Sequence, residues 1–263
     1  MAILDVSGVS VRFRGLQALR DVCFHANSEE IVGLIGPNGA GKTTLFNVVS
    51  GLQEADAGSV AFKGSDMTGL APEQRALLGI GRTFQSVQVF REMTVLENVM
   101  ISREIRESAG PVGSLLGLPW ARMEARHSAE KVRALFHFLG IEPYRNTLAG
   151  DLPLGIQRRV ELARALAGEP SLLLLDEPGS GMDTRETKVL ADDLERIRSG
   201  LGVTILLVEH DMRLVMDVCD YIYVLNFGEL MAEGRPAEVQ ADPQVVGAYL
   251  GTKGGAPVGA AHS

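Results

Sequence analysis

A glycine-rich segment between an apolar run and a helical pattern constrains the fold of this chain more tightly than any other feature. Residues 30–36 read EIVGLIG, a short β-branched run that is typical of a buried strand. Residues 43–52 read TTLFNVVSGL and are predicted to be helical. The residues between them, GPNGAGKT at 36–43, match the pattern G-x-x-x-x-G-K-[ST]. A strand, a tight loop and a helix are therefore expected to follow one another here.

The residues of this loop predict that it binds phosphate groups. Gly36, Gly39 and Gly41 permit positive φ angles, which turn backbone N–H groups toward phosphate oxygens. The N-terminus of the following helix adds a favourable dipole. Lys42 would reach the β- and γ-phosphates of a nucleotide, and Thr43 would ligate Mg²⁺. The candidate nucleotide-binding residues of the loop are Gly36, Pro37, Asn38, Gly39, Ala40, Gly41, Lys42, Thr43 and Thr44.

Two adjacent carboxylates follow a second apolar strand. Residues 171–178 read SLLLLDEP, and burial of Asp176 and Glu177 is costly unless a cation or a hydrogen-bond partner is present. Asp176 suits Mg²⁺ binding through water, and Glu177 suits the general base that orients an attacking water molecule. The alternative is a strand end that is capped by solvated acids.

A third apolar strand has the same design. ILLVEHD at 205–211 delivers Glu209, His210 and Asp211 to its end. Because strand ends in an open parallel sheet converge on one ligand crevice, His210 is predicted to contact the γ-phosphate. A histidine with only a structural role is the alternative.

Strands alternate with helical patterns at both ends of the chain, whereas the middle is mostly helical. The alternation predicts a mostly parallel sheet with helices on its faces, and residues 72–139 predict an inserted helical part. A Gly/Pro-rich connector, SAGPVGSLLGLPW at 108–120, interrupts that part. Asp183 and Glu186 form the pattern of a capping box at the start of a predicted helix over 184–200.

Charge and composition argue against several function classes. The net charge of −8 argues against a nucleic-acid partner bound through a broad basic face, and against adhesion to anionic lipid by charge alone. Two cysteines, Cys23 and Cys219, cannot form a disulfide framework, and we expect two small apolar side chains in a reducing cytosol. No apolar run approaches the roughly 18 residues that span a bilayer, and the N-terminus lacks a signal-peptide pattern. We therefore expect a cytosolic chain unless another protein holds it at a membrane.

The order of these motifs resembles that of the ATP-binding subunits of ABC transporters. GPNGAGKT resembles the Walker A motif, and LLLLDE at 172–177 resembles Walker B followed by the catalytic glutamate. Three shorter stretches are similar to the Q-loop, the D-loop and the segment with the switch histidine: GRTFQ at 81–85, GMD at 181–183 and VEHD at 208–211. LPLGIQRR at 152–159 stands in the place of the signature motif. The resemblance extends essentially over residues 3–251.

The resemblance implies an α/β fold of the P-loop NTPase type. It implies a mostly parallel sheet core, an N-terminal antiparallel β part and an inserted helical subdomain. The ATPase core would comprise residues 1–85 and 165–251, and the helical subdomain with the signature-like motif would comprise 86–164. Residues 252–263, which are small and polar, would form a flexible tail.

The resemblance also implies roles that the residues alone do not. Phe13 would stack on adenine, and the catalytic residues would be Glu177, His210 and Gln85. Two ATPase subunits would meet head to tail, with ATP between Walker A of one and the signature motif of the other. The binding residues from the signature-like motif and the D-loop would be Leu152, Pro153, Gly155 and Asp183. The implied cofactors are ATP and Mg²⁺, and the metal would be held, partly through water, by Thr43, Gln85 and Asp176.

Several stretches are closer to one branch, the larger ATPase of branched-chain amino acid importers. They include GIGRTFQSVQVFREMTVLENVM at 79–100, the insertion at 103–130 and DPQVVGAYLG at 242–251. This branch implies that ATP hydrolysis is coupled to amino-acid uptake, and it also includes importers of urea and amides. The implied partners are a second, paralogous ATPase subunit, two transmembrane permease subunits and, indirectly, an extracytoplasmic solute-binding protein, but no nucleic acid. The permeases would hold the chain at the cytoplasmic face of the plasma membrane.

The signature-like motif departs from the family pattern, which is L-S-G-G-Q or L-S-Y-G-Q. Pro153 stands where the family has the serine whose hydroxyl meets the γ-phosphate across the interface, and proline has no N–H to substitute for it. Proline suits the first turn of a helix, so we expect the helix, Gly155 and the helix dipole to persist. A hydrogen bond to a charged group contributes about 1.5–3 kcal/mol, so closure on ATP would weaken about ten- to a hundred-fold at that site. A homodimer would have two weak sites, whereas a heterodimer with a paralogue would keep one good site.

Three other functions stay open at this point. The lipopolysaccharide-export ATPase is related to this branch but usually lacks so long an insertion. A soluble ABC ATPase of repair or translation usually carries a long coiled-coil insertion or fused twin domains, and neither is visible in this sequence. A regulatory pseudo-ATPase that only binds nucleotide would fit the altered signature but not the intact Glu177 and His210.

Overall fold

Two β-sheets and a set of helices build the chain, as seen in a computed structural model that describes residues 2–84, 86–104 and 119–250. The strands are β1 (Ala2–Phe13), β2 (Leu16–Asn27), β3 (Ile31–Ile35), β4 (Ala57–Phe62), β5 (Ser65–Asp66), β6 (Ile80–Arg82), β7 (Leu172–Asp176), β8 (Thr204–Val208), β9 (Tyr221–Asn226) and β10 (Glu229–Gly234). The helices are α1 (Lys42–Ser50), α2 (Pro72–Leu78), α3 (Val95–Glu104), α4 (Pro119–Phe138), α5 (Leu154–Ala167), α6 (Thr184–Leu201), α7 (Met212–Val218), α8 (Pro236–Ala241) and α9 (Pro243–Leu250). Gln85, most of the predicted connector and the predicted tail at 252–263 lie outside these described residues.

The larger sheet has six strands in the order β10-β9-β3-β8-β7-β6. Its neighbours from β9 to β6 are parallel, and only β10 is antiparallel, because a tight turn joins it to β9. Every residue of β3, β7 and β8 is buried, which is expected for a parallel sheet that is covered on both faces. The predicted α/β fold with a mostly parallel core is therefore confirmed.

The two faces of this sheet belong to two separate parts of the core. Side chains alternate along a strand, so Leu173 and Leu175 pack on the side of α5, α6 and α7, whereas Leu172 and Leu174 pack on the side of α1. The second side also contains the four-stranded antiparallel sheet, in the order β2-β1-β4-β5. This is the antiparallel β part that the resemblance implied for the N-terminal region.

The helix that contains most of the signature-like motif begins one residue later than the sequence suggested. Pro153 was expected in the first turn, but it is the N-cap residue, with extended backbone angles, and α5 begins at Leu154. Its carbonyl accepts hydrogen bonds from the amides of Ile156 and Gln157, both at 3.0 Å. Proline has no backbone N–H, but an N-cap residue donates no hydrogen bond within its helix. Pro153 therefore removes no helical hydrogen bond.

The predicted capping box at the start of α6 is present. The Asp183 carboxylate accepts hydrogen bonds from the amides of Arg185 and Glu186, both at 2.8 Å, and the Glu186 carboxylate accepts one from the Asp183 amide at 3.1 Å. Two amides that lack partners inside the helix are satisfied by one side chain in this way.

Some features differ from the sequence expectation. Residues Ile80–Arg82 form an edge strand of the parallel sheet that the sequence did not predict. The proposed boundary between residues 164 and 165 falls inside α5, so a division of the chain there would cut a helix.

Cys219 is buried as expected, whereas Cys23 is exposed. Among the helices of the described ranges, none has the length and apolar character needed to cross a bilayer.

Candidate nucleotide-binding and catalytic site

The predicted phosphate-binding loop joins β3 to α1 at the centre of the larger sheet. Two of its glycines are required by close backbone neighbours. A Cβ atom on Gly36 would stand 2.0 Å from the carbonyl oxygen of Leu225, and one on Gly41, where φ is +102°, would stand 2.7 Å from that of Ala18. In contrast, a Cβ on Gly39 would meet no atom within 4 Å, so the loop is open to a ligand at that residue.

Lys42 is buried at the first position of α1. Its Nζ atom donates hydrogen bonds to the carbonyl oxygens of Gly36 at 2.7 Å and Pro37 at 3.0 Å. Burial lowers the pKa of the Lys42 amine below its ordinary value, and the carboxylates of Glu177 and Asp176 oppose this shift. The lysine therefore lies against its own loop, within the electrostatic reach of both predicted catalytic acids.

Three strands bring the predicted motifs to the same level of the sheet. Val208 of β8 is in register with Leu34 of β3 on one side and with Asp176 of β7 on the other. The loops that follow β3, β7 and β8 therefore leave the sheet side by side. The phosphate-binding loop, Glu177 and His210 come together because of this register, as the sequence predicted for the carboxyl ends of parallel strands.

Asp176 is 6% exposed at the end of β7. Burial raises the pKa of its carboxyl above the ordinary value, and the nearby Arg82 opposes that shift. Its Oδ2 lies 3.7 Å from Nη2 of Arg82. The same guanidinium bonds to Asn47 Oδ1 at 2.9 Å and to Ser50 Oγ, so it links β7 to α1. The sequence analysis assigned no role to Arg82. The only indication in the sequence was that Arg82 is the basic residue of the GRTFQ stretch.

Glu177 and His210 face each other across the gap between two loops. The Oε2 atom of Glu177 lies 3.7 Å from Nδ1 of His210, whose side chain is 58% exposed. Glu177 has a φ of +47°, which is rare for a residue other than glycine, and its amide donates a 2.8 Å hydrogen bond to the carbonyl of Val208. Strained backbone of this kind clusters at functional sites.

The signature-like motif stands on a different part of the structure. Leu152 is buried, Pro153 is exposed and Gly155 is half-buried. Their helix α5 packs against α3, α4 and β6, whereas α1, behind the phosphate loop, packs against β2, β7 and β8. The fold therefore does not bring Pro153 together with the phosphate-binding loop of the same chain.

Helix α5 connects both flanks of residue 85 to the segment that follows Glu177. The Glu161 carboxylate accepts hydrogen bonds from the amides of Phe84 at 3.4 Å and Gln88 at 3.3 Å, and lies 3.4 Å from Arg158 Nη1. Arg158 also donates to the carbonyl of Ser180 at 3.5 Å. Burial raises the pKa of the Glu161 carboxyl, and the two amides and Arg158 oppose the shift. The sequence signal for this pair was weak, because two opposite charges three residues apart usually form an exposed ion pair.

The two remaining predicted residues that the structure describes, Phe13 and Asp183, are both exposed. Phe13 lies at the end of β1 beside the turn to β2, and 43% of its surface is exposed, so its ring is available to a ligand. Asp183 is exposed and caps α6. Gln85 lies outside the described residues.

The oxygen donors near the loop suit Mg²⁺ in the presence of a nucleotide. Asp176 supplies a carboxylate and Thr43 an exposed hydroxyl, and Mg²⁺ is commonly held by one or two protein oxygens, phosphates and water. Within the described ranges, no group of three or more His, Cys, Asp or Glu side chains is arranged to hold a metal ion. Asp176 and Thr43 would thus supply two protein oxygens to a metal ion whose other ligands are phosphate and water.

The comparisons with known proteins agree with this geometry. Residues 19–180, more than half of the chain, match the family described as "ABC transporter". The chain belongs to the ABC transporter family. Residues 229–254 also match a C-terminal family described as "Branched-chain amino acid ATP-binding cassette transporter".

Curated relatives of this ABC protein align over nearly their whole length. The high-affinity branched-chain amino acid transport ATP-binding protein LivG of Salmonella typhimurium is 40% identical over 249 residues, which cover 95% of this chain and 98% of LivG. The high-affinity branched-chain amino acid transport ATP-binding protein BraF of Pseudomonas aeruginosa is 38% identical with the same coverage. The lipopolysaccharide export system ATP-binding protein LptB of Haemophilus influenzae is 37% identical over 254 residues, with the same coverage again.

A solved structure shares the fold. The crystal structure of the ADP conformation of an ATP-binding cassette of an ABC transporter superposes with a TM-score of 0.83 at 34% identity, and covers 95% of this chain and 99% of that chain. The predicted family and fold are confirmed by these matches. As a member of the ABC family, the chain binds nucleotide and is an ATPase.

Proposed function

We propose that this chain is the ATP-hydrolysing subunit of an importer that takes up branched-chain amino acids. The observation that carries the choice of substrate is the match of residues 229–254 to the branched-chain family, in a segment that follows the last nucleotide motif along the chain. The identities to LivG and BraF support it. LptB, at 37% identity, supports lipopolysaccharide export as the second candidate.

The site residues are assigned the following roles in this proposal. The backbone N–H groups of residue 36 and residues 38–44 and the Lys42 ammonium bind the β- and γ-phosphates, and Phe13 stacks on the adenine. Thr43, Asp176 and Gln85 would hold Mg²⁺, which would offset the negative charge of the phosphates. Glu177 accepts a proton from the attacking water, and His210, 3.7 Å from Glu177, contacts the γ-phosphate.

A second subunit completes the site, because Pro153 and Gly155 stand apart from the phosphate-binding loop of their own chain. In a head-to-tail dimer the N-terminus of α5 faces the nucleotide of the partner subunit. Pro153 is the N-cap residue and supplies no side-chain hydrogen bond. A paralogous ATPase subunit with an intact signature therefore suits the site of this chain better than a second copy does.

The remaining partners follow from the importer proposal. A cytoplasmic helix of one of the two permease subunits docks against the helical part, assigned above to residues 86–164, and the permeases hold the chain at the cytoplasmic face of the plasma membrane. Residues 1–85 and 165–251 would form the ATPase core, with the boundary at 164/165 moved to the end of α5 at Ala167 so that the helix stays whole. A solute-binding protein outside the membrane delivers the amino acid to the permeases, and no nucleic acid takes part.

Reconstitution tests the proposed transport function. Proteoliposomes with this chain, a second ATPase subunit and the two permeases should take up labelled leucine from its binding protein only when ATP is supplied on the side of the ATPases. Liposomes without this chain are the control. Absence of uptake, together with ATP-dependent extraction of lipopolysaccharide by the membrane proteins that co-purify with the chain, would favour the export function.

The dimer arrangement predicts that the isolated chain hydrolyses ATP slowly. Its rate should rise about ten- to a hundred-fold per active site when the paralogous ATPase is added, because the partner supplies the hydrogen bond that Pro153 cannot make. Phosphate release at saturating ATP measures this rate. Replacing the corresponding catalytic glutamate of the added subunit by glutamine stops that subunit's own hydrolysis, so that the assay reports only this chain. Brisk hydrolysis by the isolated chain would contradict the arrangement.

Pro153→Ser should increase the ATPase rate of the isolated chain about ten- to a hundred-fold, since a hydroxyl would then be available to the γ-phosphate across the dimer. Pro243→Ser, an exposed proline at the first residue of helix α9, is the matched control and should leave the rate unchanged. An unchanged rate for Pro153→Ser would mean that residue 153 does not meet the nucleotide.

A further inference from the structure

A buried carboxylate stands directly beside the two proposed catalytic side chains. Glu209 follows the last residue of β8 and precedes His210, and it is 0% exposed. Carboxylates are rarely buried without hydrogen bonds that repay the loss of water. The partners of Glu209 therefore indicate what it is used for.

The carboxylate is shared between two loops. Its Oε1 atom accepts a hydrogen bond from the amide of Gly179 at 2.7 Å, in the loop after β7. Its Oε2 atom accepts from the amides of His210 at 3.0 Å and Asp211 at 3.3 Å, in the loop after β8. One side chain thus holds together the loop that follows Glu177 and the loop that carries His210.

This contact fixes a strained segment. Glu177 has a φ of +47°, and Gly179 stands two residues after it. The amide of Glu177 is bonded to Val208 at 2.8 Å, and its carbonyl accepts from Ser180 at 3.0 Å. The hydrogen bond from the Gly179 amide to Glu209 holds the end of this turn, and the bond from the Glu177 amide to Val208 holds its start. A rare backbone conformation persists only where its surroundings over-determine it.

Gly179 lies so close to Glu209 that a larger residue at position 179 would force a neighbouring atom to move. A Cβ atom on Gly179 would stand 2.9 Å from Oε1 of Glu209 and 3.3 Å from a methyl carbon of Leu214. Since no positive φ is required at Gly179, the need for glycine there comes from this approach and not from the backbone angle.

We propose that Glu209 is a positioning residue that sets the distance between the Glu177 carboxylate and the His210 imidazole. The inference rests on the catalytic roles proposed above for Glu177 and His210. Glu209 touches neither the nucleotide nor the water in this proposal, and it acts through the two loops that it joins. It lies 3.9 Å from His210 Nδ1, so it also limits where the imidazole ring can stand.

The chemistry requires a carboxylate and not merely a side chain of the same shape. All three partners are N–H donors, so the side chain must accept at both oxygen atoms. Glutamine would present its NH₂ group to one set of donors. It would lose either the Gly179 bond or the bonds to His210 and Asp211, and leave buried N–H groups without a partner. An isosteric substitution should therefore loosen one of the two loops.

Glu209→Gln tests the proposal in the complex with the second ATPase subunit. We expect kcat to fall about ten- to a hundred-fold, the effect of losing a hydrogen bond to a charged acceptor, while the Kd for ATP stays within about twofold. Asp193→Asn is the matched control, since Asp193 is a buried acid on α6 that is bonded to Arg159 instead. It should lower the melting temperature by a similar amount and leave kcat within about twofold. A kcat for Glu209→Gln that matches this control would overturn the proposal.

A double variant separates positioning from general loss of structure. If Glu209 acts through its neighbours, adding Glu209→Gln to His210→Ala should lower kcat by less than about threefold beyond His210→Ala alone. If the double variant instead loses kcat by the product of the two separate losses, the proposal is overturned. A His210→Ala variant with normal kcat would overturn the catalytic role of His210 and this inference together, whereas a slow His210→Ala beside a normal Glu209→Gln would overturn only this inference.

Gly179→Ala keeps the proposal testable if Glu209→Gln does not fold. It alters the same contact from the other loop, and we expect a similar loss of kcat with ATP binding retained. A Gly179→Ala variant with kcat within about twofold of the wild type would overturn the proposal.

Discussion

Glutamine in place of Glu177 should reduce ATP hydrolysis by about 10²–10⁴-fold while leaving the affinity for ATP close to that of the wild type. The side chain lies at the end of β7, beside the phosphate-binding loop and 3.7 Å from His210, where it can accept a proton from a water molecule that attacks the γ-phosphate. Glutamine keeps the size of the side chain and removes its basicity. Binding, which depends on the loop and Lys42, is thereby separated from turnover.

The measurement combines a hydrolysis assay with nucleotide binding. The variant should retain unhydrolysed ATP in the dimer long after the wild type has released phosphate. Glu195→Gln is the matched control, because Glu195 is an exposed glutamate on α6 whose partner is Arg198. Wild-type turnover by Glu177→Gln would exclude Glu177 as the base and would reopen the regulatory pseudo-ATPase.

Replacement of Lys42 by alanine should weaken ATP binding about ten- to a hundred-fold and lower hydrolysis at least as much, because a charge-assisted hydrogen bond to the phosphates is lost. The lysine is buried against the loop, and its surroundings contain two acids, Asp176 and Glu177, that repel a triphosphate. Without the ammonium, these carboxylates would be uncompensated beside the bound nucleotide.

Titration with a fluorescent ATP analogue in the presence of Mg²⁺ measures this effect. Lys63→Ala serves as the control, since Lys63 is bonded to Ser171 on another part of the surface. The nucleotide affinity of that variant should not change. Normal affinity in Lys42→Ala would remove the phosphate-binding loop from the proposed function.

The parts of the site that depend on local sequence could be predicted, and those that depend on register could not. The strand, glycine loop and helix at 30–52 are contiguous in the chain, so residue type alone determines their order. In contrast, Gly36 lies against the carbonyl of Leu225, a residue that is far from it in the sequence, and this approach leaves no room for a Cβ atom. It exists because β9 pairs with β3, and nothing in the local sequence specifies that pairing.

The same distinction explains the residues that sequence reasoning missed. Arg82 binds near Asp176 because β6 pairs with β7, and β6 is too short to give a periodic pattern. Glu209 was visible as an acid at a strand end, but its partner Gly179 belongs to another strand's loop. Pro153 was placed one residue too deep in its helix, since helix boundaries depend on the dihedral angles of the end residues.

The position of β8 restricts how the length of this chain can vary. β8 lies between β3 and β7, and its residue Val208 pairs with both of them. One additional residue inside Thr204–Val208 would shift the following chain by about 3.3 Å and reverse the face on which each later side chain stands. The loop that carries His210 would then no longer leave the sheet at the level of the phosphate-binding loop and the loop with Glu177. We therefore expect a change of residue count inside β8 to disrupt the site, so that this central strand must keep its length.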